Sequence, residues 1–159
     1  MLKSTQKLLI LHNIRSVHNT GALFRTADAL GIDMIYLIGE TATPFDRFGR
    51  ARSDFAKTAL GSELTMPWKY YKTIAPVLTK LKKEGYTIYA IEQSPDSIDY
   101  KKAKPARLSA CILGSETRGI PNAVLKKMDH ILEIPMRGMK ESLNVSVAGG
   151  IVLYRLFDR

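Results

Sequence analysis

The segment from Ile134 to Ala148 reads IPMRGMKESLNVSVA, and it joins a predicted strand to a predicted helix. His130 to Ile134 alternates polar and apolar side chains like a short strand, and Pro135 ends it. From Leu143 to Phe157 the apolar residues are dense enough for a buried helix. The loop between them carries unusual polar chemistry, which is typical of a binding site.

Ser142 lies where the cap of this predicted helix is expected. A cap hydroxyl satisfies one of the free N–H groups of the first helical turn. The helix end also favours an anionic or electron-rich ligand, which makes Ser142 a candidate binding residue. Taken alone, however, the position of Ser142 is better explained by an ordinary helix cap without a binding role, since serine is among the commonest residues at the cap position.

Two further polar segments follow apolar runs. Asn13 to Gly31 (NIRSVHNTGALFRTADALG) follows the run Leu8 to Leu11 and opens a helix near Asn19. Ile112 to Pro121 (ILGSETRGIP) is an acidic turn flanked by glycines, at the end of another apolar run. Because loops after parallel strands gather at the carboxyl edge of a sheet, the three segments are expected to converge on one pocket.

Hydrophobic periodicity divides the chain into alternating strands and helices. The predicted strands are Leu8–Leu11, Met34–Ile38, Thr87–Ile91, Ser109–Leu113 and Ile131–Ile134, with a weaker one at Leu64–Trp68. The predicted helices are Thr20–Leu30, Asp54–Leu60, Ile74–Lys83, Asn122–Lys126 and Leu143–Phe157. This alternation predicts an α/β fold, a mainly parallel sheet with helices on both faces, in a single domain over residues 1–159.

The composition favours a polyanionic partner. The formal net charge is +9 at pH 7, and much of the positive charge lies in two long loops, Gly39 to Ser53 and Gln93 to Leu108. Nucleic acid is the natural candidate, although many small proteins are basic without binding it. The basic clusters are Arg47, Arg50, Arg52 and Lys57, then Lys101, Lys102, Lys104 and Arg107, then Lys126 and Lys127.

Other residue types narrow the class of protein. Cys111 is the only cysteine and lies in an apolar run, so we expect a buried core residue and no internal disulfide. The apolar runs are too short for a signal peptide or a membrane span, which predicts a cytoplasmic protein with no membrane partner. The three histidines show no metal-ligand spacing, and no metal is expected. Neither a G-x-G-x-x-G segment nor a Walker-type loop is present.

In order and spacing, the three segments resemble the motifs of the SpoU/TrmH branch of the SPOUT superfamily, the S-adenosylmethionine-dependent RNA ribose 2′-O-methyltransferases. The matching residues are Asn19 to Arg25 with Thr26-Ala27, Leu113-Gly-Ser-Glu116 to Gly119, and Pro135-Met136 to Ala148. The third motif, with Ser142-Leu-Asn144-Val-Ser-Val-Ala148, is the most specific. The resemblance runs from about Lys7 to the C-terminus and covers nearly the whole chain.

This resemblance implies a SPOUT fold with a deep trefoil knot in the C-terminal half. It also implies a single SPOUT domain without N- or C-terminal RNA-binding extension, and a homodimer that pairs the last helix with a partner subunit. S-adenosylmethionine is the implied co-substrate. The implied cofactor-binding residues are Leu113, Gly114, Gly119, Ile120, Ile134, Met136, Ser142 and Leu143. For Leu113 and Ile134 taken singly, plain core packing is the alternative.

The resemblance also implies the catalytic residues Arg25, Asn19, Glu116, Ser142 and Asn144. Because a guanidinium is almost always protonated, Arg25 is expected to hold a phosphate or the developing alkoxide rather than accept the proton. It lies six residues after Asn19, so both are expected at the same end of the early helix. Glu116 is expected mainly to orient Asn19, Ser142 or Asn144, with a role as base as the alternative. Asn144 is a poor helix former expected inside a helix, which suggests a site function.

The resulting hypothesis is methyl transfer from S-adenosylmethionine to a ribose 2′-hydroxyl of RNA, with tRNA and rRNA equally suitable. One alternative is a non-catalytic RNA-binding or assembly module on the same scaffold, which would bind RNA through Arg47, Arg50, Lys101 and Lys102. A second alternative is an enzyme of the same superfamily that methylates a base nitrogen. The Ser142-Leu-Asn144 signature disfavours it, since this signature belongs to the ribose branch.

Overall fold

The structure, a computed structural model, describes residues 5–158 as alternating strands and helices. The strands are β1 (Gln6–His12), β2 (Met34–Ile38), β3 (Trp68–Tyr71), β4 (Thr87–Ile91), β5 (Ile98–Asp99), β6 (Leu108–Leu113) and β7 (His130–Glu133). The helices are α1 (Val17–Ala29), α2 (Ser53–Ala59), α3 (Ser62–Thr65), α4 (Ala75–Lys83), α5 (Asn122–Leu125) and α6 (Val145–Phe157). A short 3-10 helix occupies Tyr100–Lys102.

The seven strands form one sheet in the order β3-β2-β1-β6-β4-β7-β5, and every pairing is parallel. Alternate side chains of β1 enter different apolar clusters, with Leu9 and Leu11 in one and Leu8 and Ile10 in the other. The first cluster includes side chains of α1, α2 and α6, and the second includes side chains of α4 and α5. Burial of the sheet on both faces explains its nearly continuous apolar strands, and it confirms the predicted α/β class.

One predicted strand is wrong. Residues 62–65 form α3 instead, and the strand lies at Trp68–Tyr71. Pro67 favours an extended conformation at Met66, whose ψ is 120°, so the helix ends there and the chain enters β3. Leu64, which suggested a strand, is 84% exposed. The short strand β5 was not predicted, since two residues in a charged loop carry no periodic signal.

All strand pairings are parallel, so the carboxyl ends of the strands share one edge of the sheet. The loops after β1, β6 and β7, which hold the three polar segments, leave the sheet at this edge. Between residues 5 and 158, no helix is both long and apolar enough to cross a membrane.

Candidate active site

A cavity of about 770 Å³ lies at the carboxyl ends of β4, β6 and β7. Its size falls within the usual range of small-molecule sites, about 300–1,000 Å³. All eight residues predicted to bind the cofactor line it: Leu113, Gly114, Gly119, Ile120, Ile134, Met136, Ser142 and Leu143. Four of the five predicted catalytic residues also line it, namely Asn19, Glu116, Ser142 and Asn144. The predicted convergence of the three segments is therefore observed.

The turn after β6 folds back tightly on its own strand. A Cβ atom at Gly114 would lie 2.7 Å from the backbone nitrogen of Ile120, so only glycine fits there. Gly119 has φ +66°, and the amide of Gly119 donates to the carbonyl of Ser115 at 2.9 Å. Backbone groups therefore form much of this wall of the cavity, and Ile120 is buried beside them.

Glu92 is a site residue that sequence analysis missed. It directly follows β4 and lines the cavity. One carboxylate oxygen accepts from the amide of Ile120 at 2.9 Å, and the other accepts from the amide of Gln93 at 3.0 Å. A Cβ at Gly119 would lie 2.5 Å from the first of these oxygens. The available signal was an acidic residue at the end of a buried strand, at the same edge as the three motifs.

The loop that follows β7 is fastened to the loop that follows β4. The side-chain amide of Gln93 donates to the carbonyl of Glu141 at 2.6 Å. This hydrogen bond holds residues 135–144 beside the cavity, where Met136, Ser142 and Leu143 form part of the wall.

Three side chains link the three motifs by hydrogen bonds. Asn19 donates through Nδ2 to the Glu116 carboxylate at 3.2 Å, and it accepts through Oδ1 from Asn144 Nδ2 at 3.1 Å. Asn19 is buried, whereas Glu116 and Asn144 face solvent at the rim of the cavity. The expected contact between Glu116 and Asn19 is therefore present, and Asn19 is the central member of the network.

Asn144, not Ser142, caps α6. The Oδ1 atom of Asn144 accepts from the amides of Ser146 at 2.9 Å and Val147 at 3.3 Å, and the helix begins at Val145. The predicted cap at Ser142 and the predicted helix start at Leu143 are wrong. So is the placement of Asn144 inside the helix, because asparagine is favourable at a cap. Ser142 remains an exposed residue of the loop that lines the cavity.

Arg25 does not enter this cavity. It lies on the exposed side of α1, in a shallow groove with His18, Lys57, Val147 and Tyr154. Six residues advance a helix by about 9 Å and rotate it by about 240° beyond one full turn, so Asn19 and Arg25 face different directions. The expectation that both reach the same end of the helix is therefore wrong. Helix α1 also begins earlier than predicted, at Val17, where Ser16 Oγ accepts from the Asn19 amide at 3.1 Å.

Two buried groups outside the cavity lining, His12 and Cys111, have pKa values shifted by burial. Burial lowers the pKa of His12, and its Nδ1 atom has no hydrogen-bond partner among the described residues. Burial strongly raises the pKa of the Cys111 thiol, which lies within β6 as predicted. No cluster of three or more His, Cys, Asp or Glu within residues 5–158 is arranged to hold a metal ion.

The cavity has the mixed lining that an adenosyl group and a charged amino-acid tail would require. Apolar side chains, including Ile91, Leu113, Ile120 and Leu125, can pack against a purine. Glu92 and Glu116 supply negative charge, and Ser115, Asn122 and Ser142 supply further polar side chains. Carboxylates favour a cationic ligand group over an anionic one.

Comparison with known proteins gives a consistent result. Residues 6–154 match the sequence profile of the SpoU rRNA Methylase family. The tRNA (guanosine(18)-2′-O)-methyltransferase of Escherichia coli K12 is 31% identical over 144 residues, which are 91% of this chain and 59% of that protein. This chain thus spans less than two thirds of that relative.

Two solved structures are similar over nearly the whole chain. An AdoMet-bound rRNA methyltransferase from Sinorhizobium meliloti gives a TM-score of 0.86 at 25% identity, covering 96% of this chain and 56% of that one. A structure described for the 2-OH methylation of C/U34 on tRNA gives a TM-score of 0.80 at 26% identity. In that case the match covers 95% of this chain and 93% of the other.

Proposed function

Because this chain belongs to the SpoU rRNA Methylase family, we propose that it transfers a methyl group from S-adenosylmethionine to a ribose 2′-hydroxyl of RNA. The observation that carries the proposal is the hydrogen-bonded network Glu116–Asn19–Asn144, which joins the three motifs at one cavity. The relatives named above act on tRNA or rRNA by their descriptions. The structure that matches this chain nearly end to end concerns tRNA, which favours tRNA as the substrate.

S-adenosylmethionine supplies a methyl group already activated on a sulfonium centre, so the protein mainly has to bind and orient the reactants. We assign the adenosyl group to the wall formed by Leu113, Gly114 and Ile120, with Gly119 allowing close approach of the backbone. Ile134, Met136, Ser142 and Leu143 close the opposite side, on the loop held by Gln93. These eight residues together are proposed to bind the cofactor.

Arg25 is proposed to hold an RNA phosphate or the developing alkoxide. A guanidinium stays protonated and donates several hydrogen bonds in a plane, so it suits anionic oxygens better than it suits proton abstraction. Glu116 accepts a hydrogen bond from Asn19 and is assigned an orienting role. Ser142 and Asn144 are assigned to positioning of the motif loops and the substrate.

The separate groove of Arg25 is consistent with a site completed by two subunits. The exposed face of α6 carries Val147, Ile151 and Tyr154, which are 49%, 37% and 43% exposed. Val147 and Tyr154 line the same groove as Arg25. We propose that a second copy of the chain covers this face and that Arg25 then serves the cavity of the partner subunit, because apolar faces of this kind are buried on association.

Two further features belong to this proposal. The C-terminal half is proposed to form a deep trefoil knot, with the chain after the second motif threaded under an earlier loop. An experimental structure traced through residues 87–144 tests this. The reaction is proposed to take place in the cytoplasm, where RNA and S-adenosylmethionine are both present.

The deciding experiment is transfer of labelled methyl from S-adenosylmethionine to total tRNA and, separately, to rRNA. We expect label in an alkali-resistant, 2′-O-methylated dinucleotide. Arg25→Ala should lower transfer by about 100-fold or more, while the calorimetric Kd for S-adenosylmethionine stays within about twofold of wild type. The matched control is Lys83→Ala, which removes an exposed cation at the end of α4.

Other outcomes assign the alternatives. Label on a base nitrogen, identified by mass spectrometry, would replace the ribose assignment. RNA binding without transfer to any tRNA or rRNA, despite measurable cofactor binding, would support the non-catalytic module instead.

A further inference from the structure

Phe48 and its two neighbouring arginines form an exposed cationic and aromatic cluster outside the proposed active site. The Phe48 ring is 66% exposed. The guanidinium carbon of Arg47 lies 4.7 Å from the ring centroid, and that of Arg50 lies 5.0 Å from it. Both distances are within the range of a cation–π contact. We refer to Arg47, Phe48 and Arg50 as the stacking cluster.

We propose that the stacking cluster binds an unpaired nucleotide of the RNA substrate, with the base stacked on Phe48 or on a guanidinium plane and the adjoining phosphate held by the arginines. This inference rests on the proposed function, since it takes RNA as the substrate. Bases of single-stranded RNA stack on aromatic rings and on arginine, and the phosphates bind guanidinium groups. An exposed phenylalanine with two guanidinium groups beside its ring fits that ligand better than it fits an apolar protein surface.

The loop that carries the cluster is held in shape by Asp46. Its Oδ1 atom accepts from the amides of Phe48 at 2.8 Å and Arg50 at 3.0 Å, and its Oδ2 atom accepts from Arg50 Nε at 2.9 Å. These hydrogen bonds, first that of the Arg50 amide, hold the pKa of Asp46 below its ordinary value. Within the guanidinium group of Arg50, Asp46 accepts from Nε, which leaves the terminal nitrogens to donate to a phosphate. The cluster is thus preorganised, which lowers the entropy lost on binding.

The loop lies at the same sheet edge as the cavity. It leaves the sheet after β2 and begins with Gly39 and Glu40. The Glu40 carboxylate forms an ion pair with Arg118 at 2.8 Å, and Arg118 belongs to the turn that lines the cavity. An open groove of about 990 Å³ adjoins the loop and is lined by further basic and aromatic side chains, including Arg15, Arg52 and Tyr70. RNA bound at the cavity would therefore be able to reach the stacking cluster.

The test measures binding of a fluorescein-labelled 12-nucleotide single-stranded RNA by anisotropy, and KM and kcat for tRNA. Phe48→Ala should weaken RNA binding by about fivefold or more and raise KM, with kcat and the Kd of S-adenosylmethionine unchanged. Phe48→Trp should keep the affinity. Leu64→Ala is the matched control, since it removes an exposed apolar side chain from α3. Arg47→Ala should reduce the slope of log K against log salt by about 0.7.

The outcomes separate the two proposals. If the wild type transfers no methyl group but Phe48→Ala still weakens RNA binding, the proposed reaction fails and the stacking cluster stands. If the wild type methylates RNA and Phe48→Ala matches Leu64→Ala in both RNA affinity and KM, the stacking cluster is overturned. Absence of single-stranded RNA binding by the wild type at low salt would also overturn it.

Discussion

The side-chain amide of Asn144 donates to the side-chain oxygen of Asn19, 125 residues earlier in the chain, at 3.1 Å. The same Asn144 caps α6 through its own oxygen, so the start of the last helix and the first motif are fixed by one residue. The further hydrogen bond from Asn19 to Glu116 extends this connection to the second motif. A change at Asn144 therefore has two separable effects, on the helix and on the motif network.

Asn144→Ser should separate these effects. Serine caps a helix nearly as well as asparagine, but its shorter side chain does not reach Asn19. We expect the unfolding free energy of Asn144→Ser to stay within about 0.5 kcal/mol of wild type, whereas Asn144→Ala should lose about 1–2 kcal/mol. Both variants should lose methyl transfer. Urea unfolding and the labelled-methyl assay measure the two quantities, and full activity in Asn144→Ser would show that the link to Asn19 is dispensable.

Gly119→Ala and Gly31→Ala form a matched pair. Both glycines have left-handed backbone, with φ of +66° and +64°, so an alanine at either should destabilise the fold by about 1 kcal/mol. Only at Gly119 would the added methyl meet Glu92, whereas Gly31 has nothing within 4 Å. Calorimetry should therefore show weaker S-adenosylmethionine binding, by about tenfold, in Gly119→Ala alone. Equal affinities in the two variants would mean that Glu92 moves without disturbing the cavity.

Mixing two inactive variants tests whether Arg25 acts across a dimer. Arg25→Ala keeps its cavity, and Asn144→Ser, which is also expected to lose methyl transfer, keeps its arginine. If the arginine serves the partner's cavity, each mixed dimer contains one intact site, and unfolding and refolding the mixture should restore about a quarter of wild-type activity. If Arg25 served its own subunit, no intact site would form and the mixture would remain inactive.

Val147→Glu should disrupt the proposed dimer, because it places a charge on the exposed apolar face of α6. Light scattering coupled to size exclusion should report a monomer with the circular dichroism of the wild type. Leu64→Glu, on the exposed side of α3, is the control and should leave the mass unchanged. A wild-type mass equal to one chain would contradict the dimer outright.

Cys111 should be unreactive in the folded protein. Burial raises the pKa of its thiol, and the thiolate is the species that reacts with disulfide reagents. We expect no reaction with an aromatic disulfide at pH 8 and one equivalent of reaction in denaturant. Leu64→Cys provides an exposed thiol for comparison. Rapid reaction of the native wild type would show that β6 opens readily.

Much of the fold follows from periodicity, because the strands are apolar enough to be buried on both faces. Met34–Ile38 and Thr87–Ile91 have the predicted bounds, and the ends of the other predicted strands, apart from the weak one, differ by at most two residues. The prediction of a weak strand at Leu64–Trp68 was wrong, because a short helix that ends before Pro67 contains as many apolar residues as a short strand. The ladder order could not be predicted, since periodicity does not report which strands pair.

The position of the cavity could be predicted from the sequence, because motifs that follow parallel strands meet at one edge of the sheet. The directions of individual side chains could not be predicted in this way. Periodicity does not distinguish Ser142 from Asn144 as the cap of α6, because the cap depends on which polar side chain reaches the free amides. Arg25 and Asn19 share one predicted helix, but the step of six residues from one to the other turns the Arg25 side chain away from the cavity into a separate groove. Glu92 belongs to none of the three motifs, and its contacts with Gly119 and Ile120 show its part in the cavity wall.

The ladder order also bears on synthesis of the chain. Strand β6 lies between β1 and β4 in the sheet. It follows β1 by about a hundred residues in the chain, so the β1–β6 pairing is a long-range contact. Until Leu108–Leu113 leaves the ribosome, β1 has one unpaired edge and β4 has no partner strand, because β4 pairs only with β6 and β7. A nascent chain that stops before β6 should therefore be prone to aggregation and to capture by chaperones. The carboxyl-terminal third of this protein thus decides when the amino-terminal part becomes stable.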